Sequence, residues 1–398
     1  MRTRAQLELD ARMRRVTDVA RRLPAMTARN GRAERERLRA DYAAGRRLQP
    51  RWERAPEGVP RHVRHALDEA RALAPEVPAG ELYLARLDEL ELELELIDAL
   101  GDAKRVRPLA ARRFGTGREA VPIGARRLPL AEIAERLLEE VAGPPEEPTL
   151  PAEGEPSLAS IVRAFAAAAG LDVEVRVEPG LVANAAAGER TVFLADRRFG
   201  RREALRLGVH EVLGHLVAAA NGRSQPLALL SVGTAGSVAD QEGLAILLEE
   251  QAGLLDGRRV RTFAARVWVT DRVHAGAPFD EVVHLLVGEL GFTGDEAIAL
   301  AERGFRGGGV ARDAVYLRGW LRVRRAVAEG VADVEALRQG RVSLDALPQL
   351  RRLREAGALR PSPFQPSLAR SLSATGFGTS ASTSPPSFAA SLMRLEET

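Results

Sequence analysis

Between residues 171 and 177 apolar and charged side chains alternate, with Leu171, Val173, Val175 and Val177 on one side. That two-residue period predicts a half-buried strand, which Pro179-Gly180 ends. Thr191-Val192-Phe193-Leu194 supplies a second strand. The period then changes: Leu207, Val212, Leu213, Leu216 and Val217 follow the spacing of a core helix. The run Leu244-Ala245-Ile246-Leu247-Leu248 buries the middle of another helix, with Asp240 expected as its N-cap. Asn221-Gly222 reads as the turn that leaves the first of these helices, and residues 233–236 as the loop before the second. Further helices are predicted over about 259–275, 278–290 and 294–304.

Upstream the pattern is less plain. Residues 90–96 alternate Glu and Leu and so mimic a strand, but the glutamate and leucine content of 79–100 favours a helix. Residues 1–65 carry 18 arginines against 8 acids. The arginines are interleaved with acids and apolar residues at helical spacing, and only Tyr42 and Trp52 could stack on bases. They read as a solvated helix face, so nucleic acid is not an expected partner. A proline-rich break at 144–156 divides the chain into an N-terminal helical region, 1–150, and a second domain, 151–360. Residues 361–398, with nine serines and five prolines, read as a disordered tail. The class expected is α+β, mainly α-helical, with a small β-sheet.

Composition narrows the picture only slightly. A content of 45% hydrophobic and 28% charged residues fits a soluble globular protein. No apolar run reaches the ~18–20 residues that span a bilayer, and the arginine-rich start lacks the apolar stretch of a signal peptide, so no membrane partner and a cytoplasmic location are expected. The absence of cysteine excludes disulfides and thiolate metal sites. The oligomeric state is not encoded legibly.

The chemistry concentrates in His210-Glu211-Val212-Leu213-Gly214-His215 and in Gln241-Glu242-Gly243-Leu244-Ala245. Two neutral imidazoles and one carboxylate would give a zinc hydrolase its three protein ligands and leave a fourth position for water. The histidines stand five residues apart, which on an ideal helix places them ~140° apart. A π-type turn, eased by Gly214, would bring both rings onto one face. Glu242 has rivals two turns on in Glu249 and Glu250, but it is expected at the start of its helix, in the first turn, where a carboxylate also agrees with the helix dipole.

These residues resemble a known family. HEVLGH is an HExxxH motif, and QEGLA is the name-giving motif of a bacterial family related to the microtubule-associated tyrosine carboxypeptidases of eukaryotes. Residues 302–321 (ERGFRGGGVARDAVYLRGWL) resemble that family's Arg-x-Phe-Arg-Gly and Asp-x-x-Tyr-Leu-x-Gly segments, so the similarity covers roughly 155–360. The family usually has lysine before that aspartate, where this chain has Arg312. HEVLGH is equally similar to the motif of the dipeptidyl peptidase III family, which takes its third ligand from a more distant Glu-Glu pair; the nearby QEGLA favours the carboxypeptidase-like family.

The resemblance implies a zincin-like metallopeptidase core and a zinc-dependent protease of carboxypeptidase type, removing a C-terminal residue, Tyr or Phe, from a peptide or protein. His210, His215 and Glu242 would hold Zn2+, and Glu211 would be the general base for a zinc-bound water. By analogy with zincins, a strand such as 191–194 would line the cleft. An exopeptidase of this direction needs a cation for the terminal carboxylate and a donor for the oxyanion. Arg306 and Tyr316 are the candidates, with Arg303 and Arg312 close behind. His274 and His284 look structural. Two alternatives remain: an aminopeptidase or dipeptidyl peptidase of HExxxH type, and a non-catalytic regulatory protein that retains the metal site. Glu211 argues against the second, because a purely structural zinc has no use for a base.

Overall fold

Helices open the chain and strands are few. The computed structural model describes residues 3–377 apart from 21–25, 27, 55–57, 141–147 and 182, together with Arg394. Its first helices are Arg4–Ala20 (α1), Gly31–Ala43 (α2), Arg61–Leu73 (α3), Gly80–Ala99 (α4) and Ala103–Phe114 (α5). In α4 the residues Tyr83, Leu87, Leu90 and Leu94 form one helical stripe and are wholly buried, which decides the Glu-Leu segment in favour of helix. A hairpin, Ala120–Ile123 (β1) with Arg126–Pro129 (β2), leads into Leu130–Glu140 (α6).

The part that carries the chemistry begins with Thr149–Leu150 (β3), which pairs antiparallel with Phe199–Gly200 (β7), and with Leu158–Ala168 (α7). Between them lies a three-stranded sheet of Glu174–Glu178 (β4), Ala185–Ala187 (β5) and Thr191–Ala195 (β6). Its order is β4-β6-β5, with β4 parallel and β5 antiparallel to β6. Both expected strands are present. The remainder is helical: Arg201–Gly208 (α8), a π segment Val209–Leu216, Val217–Ser224 (α9), Leu229–Val232 (α10), Ser237–Gln251 (α11), Gly257–Ala275 (α12), Phe279–Gly288 (α13), Gly294–Gly309 (α14), Ala314–Ala328 (α15), Val334–Arg338 (α16), Leu347–Glu355 (α17) and Leu368–Ser373 (α18). The protein is thus α+β and mainly α-helical, with small sheets. None of the described helices is long and apolar enough to cross a membrane.

One continuous core joins Leu9, Met13, Val63 and Leu87 of the N-terminal helices to Phe165, Leu194, Leu213 and Leu244. The N-terminal helices are therefore packed into the half that carries the HEVLGH and QEGLA motifs. A second core surrounds Phe263, Trp268 and Trp320, between α6 and α12–α15.

Three local expectations are corrected. Asn221-Gly222 is not a turn: both lie inside α9, and Asn221 is buried, donating to Arg338 O at 2.8 Å and accepting from Phe364 N at 3.0 Å. Asp240 is not an N-cap: α11 starts at Ser237 behind Gly236, whose positive φ of 77° makes the break, and Asp240 accepts from Leu344 N at 2.7 Å. Residues 361–377 are folded rather than disordered. Asn221 binds Phe364, Gln225 Oε1 accepts from Arg360 N at 2.9 Å, and Leu372 of α18 joins the core. The polar hooks that hold this stretch lie over 130 positions upstream, beyond anything its own composition reports. Most of the expected tail beyond it lies outside the described residues.

Candidate functional site

The two histidines meet because the helix carrying them is wound as a π turn over Val209–Leu216. Its i→i+5 pattern stacks positions five apart. The imidazole centroids of His210 and His215 lie 4.8 Å apart, and their Nε2 atoms 3.2 Å apart. Gly214 has a different use from the one expected. A Cβ there would stand 2.7 Å from Ala245 Cβ and 3.1 Å from Ala245 Cα, so its bare backbone lets the π segment press against α11.

That contact delivers Glu242, which lies in the second turn of α11 and not, as expected, in its first. Its Oε2 lies 3.4 Å from His210 Nε2 and 3.7 Å from His215 Nε2. The three groups form the only potential metal cluster among the described residues. Ligands ~2.0–2.1 Å from a tetrahedral ion sit ~3.4 Å from one another, and the observed separations match that spacing. Glu242 Oε2 is buried and has no hydrogen-bond partner. Burial opposes its charge, yet the two facing rings hold its carboxyl well below the usual range. Burial likewise opposes charge on His210, but Glu242, Glu249 and Glu211 outweigh it and push the ring up to about 9. Two nitrogens and one carboxylate oxygen converging on one point could hold a zinc-sized ion.

Glu249, weighed above only as a rival ligand, faces the other side of His210. Its Oε1 is 2.6 Å from Nδ1 and 3.1 Å from Arg259 Nη2, and the residue is wholly buried. A spacing of seven from Glu242, two turns along one helix face, was the signal available for it. Glu211 is buried beside His210 and forms no hydrogen bond or ion pair among the described residues.

A second close helix contact holds Tyr316 within range of the Glu242 charge. Gly243 of α11 and Gly319 of α15 lie backbone to backbone, with no room for a Cβ on either. Tyr316 stacks on Phe263 at 5.9 Å, and burial and the Glu242 charge both raise its phenol pKa. Arg303, beside the Tyr316 ring, donates to Asp313 at 2.5 Å.

The two remaining arginines separate. α14 breaks at Arg306 (ψ 146°), with Gly307, Gly308 and Gly309 all at positive φ. Arg306 therefore points into a small cavity beside Met26, Trp52 and Arg54, where burial, with Arg303 nearby, lowers it to about 10 and its Nη2 has no hydrogen-bond partner among the described residues. Arg312 lines the cleft of ≈310 Å³ that contains His215 and Glu242. No hydrogen bond or ion pair engages its guanidinium among the described residues.

The opposite wall of this cleft was not foreseen. It comes from α4 and α5, through Leu96, Ile97, Leu100 and Phe114, with the ion-paired Arg86, Glu93 and Arg113 beside them. The cleft strand also differs: β6 is paired on both edges, and Ala187 of the edge strand β5 lines the cleft instead. His274 and His284 take no part in the cluster.

A family profile described as microtubule-associated tyrosine carboxypeptidase matches residues 42–380 of this chain. Comparison with curated proteins and with solved structures returns no match.

Proposed function

Because the chain belongs to the microtubule-associated tyrosine carboxypeptidase family, we propose that it is a zinc-dependent carboxypeptidase with a zincin-like core that removes a C-terminal residue, Tyr or Phe, from a peptide or protein. The observation that carries this reading is the convergence of His210, His215 and Glu242 near tetrahedral spacing, with Glu242 Oε2 facing both rings and making no hydrogen bond among the described residues. When bound there, zinc supplies a Lewis acid that polarises a carbonyl and acidifies water.

The remaining work falls to side chains. Glu211, buried next to His210 and without a hydrogen bond or ion pair among the described residues, takes a proton from the attacking water and returns it to the leaving amine. Tyr316 keeps its proton and donates a hydrogen bond to the oxygen on which negative charge develops. Arg312, a cleft guanidinium with no hydrogen bond or ion pair among the described residues, binds the terminal carboxylate in place of Arg306. The apolar residues of α4 and α5 receive the side chain of the departing residue.

Metal analysis and peptide digestion test the reading together. The purified protein should carry about one zinc per chain, shorten a free-acid peptide from its C-terminus, and spare the same peptide amidated. His210→Ala and His215→Ala should lose the metal. Zinc retained by both variants, or ladders that begin at the N-terminus, would refute it; the latter result would favour a dipeptidyl-peptidase-like enzyme.

A further inference from the structure

We infer that Glu249 is the positioning residue of the metal centre: it fixes which nitrogen of His210 faces the ion and raises that nitrogen's donor strength. The inference rests on the site proposed above. Glu249 is wholly buried on α11, and its Oε1 lies 2.6 Å from His210 Nδ1. Imidazole has two nitrogens, and whichever carries the proton cannot bind a metal. A carboxylate at hydrogen-bond distance from Nδ1 requires N–H there, which leaves the Nε2 lone pair for the side shared with His215 and Glu242. Partial negative charge passed through that bond makes Nε2 a better ligand.

An isolated carboxylate at such depth would tend to protonate and would then no longer act as an acceptor for the Nδ1 proton. Arg206 from α8 at 3.4 Å and Arg259 from α12 at 3.1 Å supply the compensating charge. Three helices thus converge on one carboxylate whose only contact with the reaction is through His210. Glu249 and Glu242 also share a face of α11, so a single rigid helix sets both the third ligand and the orientation of the first.

A purely structural ion pair would behave differently, and the difference can be measured. Zinc affinity of the full chain is determined by competition with a chromophoric chelator for the parent, Glu249→Gln, Arg259→Gln and His210→Ala, alongside the thermal midpoint of each metal-free protein. Glu249→Gln is expected to weaken zinc binding about 10–100-fold, the range for loss of such partners. Arg259→Gln should lower the midpoint while keeping zinc affinity within about 3-fold, because Arg206 still holds Glu249 charged against His210. Parent-like affinity in Glu249→Gln, or an equal loss in Arg259→Gln, overturns the inference while leaving the metal site standing. Retention of zinc by His210→Ala removes the site itself and the inference with it. Should Glu249→Gln fail to fold, the parent decides the matter: in the zinc-loaded, 15N-labelled protein, His210 Nδ1 should carry a slowly exchanging proton. A bare or freely exchanging Nδ1 overturns the inference.

Discussion

Alanine at position 214 sets two effects of opposite sign against each other. In a helix, replacing glycine by alanine normally stabilises by roughly 0.5–1 kcal/mol through backbone entropy. Here the new Cβ would stand 2.7 Å from Ala245 Cβ, whereas ordinary contact begins at 3.4 Å. The π segment and α11 would have to part by roughly 0.7 Å. Overpacking of this kind costs about 1–3 kcal/mol, so the net effect should be a loss of about 1–2 kcal/mol. The consequence for the site is larger. His215 follows Gly214 and Glu242 rides on α11, so the same movement opens a set of donor atoms now 3.2, 3.4 and 3.7 Å apart. Metal sites tolerate about ±0.2 Å in their ligand distances. Zinc affinity should fall by on the order of 10-fold or more, which removes a further ~1.4 kcal/mol of zinc-linked stability when zinc is near saturating. Urea unfolding with and without zinc, together with chelator competition, separates the two losses. The double variant Gly214→Ala/Ala245→Gly, which exchanges the methyl group between the helices, should recover most of the zinc affinity. A stabilised single variant with parent-like zinc binding would show that the helices are not in this contact.

Three other outcomes follow from the same geometry. Glu211→Gln should keep zinc and the fold but lower turnover by on the order of 10²–10⁴; peptide cleavage at the parent rate would remove Glu211 from the mechanism. Arg312→Ala should lower kcat/KM sharply on free-acid peptides with zinc content unchanged, and Arg306→Ala should do so far less; steady-state kinetics on both variants tests the choice between them. Asp313 is buried, which opposes its charge, yet Arg303 and Arg266 hold its carboxyl well below its ordinary 3.8. The stability it contributes is therefore full above that ordinary value and is lost as pH falls through the lowered one. Asp313→Asn, which leaves two buried guanidiniums short of a partner, should cost about 3–5 kcal/mol near pH 7, with the difference from the parent shrinking as pH falls below about 4; urea titrations across that range would show it.

What could be read from the chain alone was whatever depends on neighbours a few residues apart. The five-residue interval between His210 and His215 already required a π turn, and Val209–Leu216 forms one. The alternation at 171–177 marked a strand. Residues 90–96 carried two periods at once, and only the burial of Leu90 and Leu94 on the stripe begun by Tyr83 and Leu87 chose the helix. The family profile agrees with the order of motifs quoted from the sequence.

The placement of Arg306 and Arg312 was a different kind of question. Both lie in the same short stretch, and their separation depends on the backbone break at Arg306 and three glycines at positive φ, which place one in the cavity beside Trp52 and Arg54 and the other on the lining of the cleft that holds Glu242. The cleft's far wall, at Leu96 and Phe114, stands more than 100 positions from His215, and the segment at 361–377 is held by Asn221 and Gln225. Periodicity and propensity act over one or two turns of chain. These pairings are decided by which helices can approach closely enough to touch, through Gly214 against Ala245 and Gly243 against Gly319, and that close packing exists only once the whole core has formed.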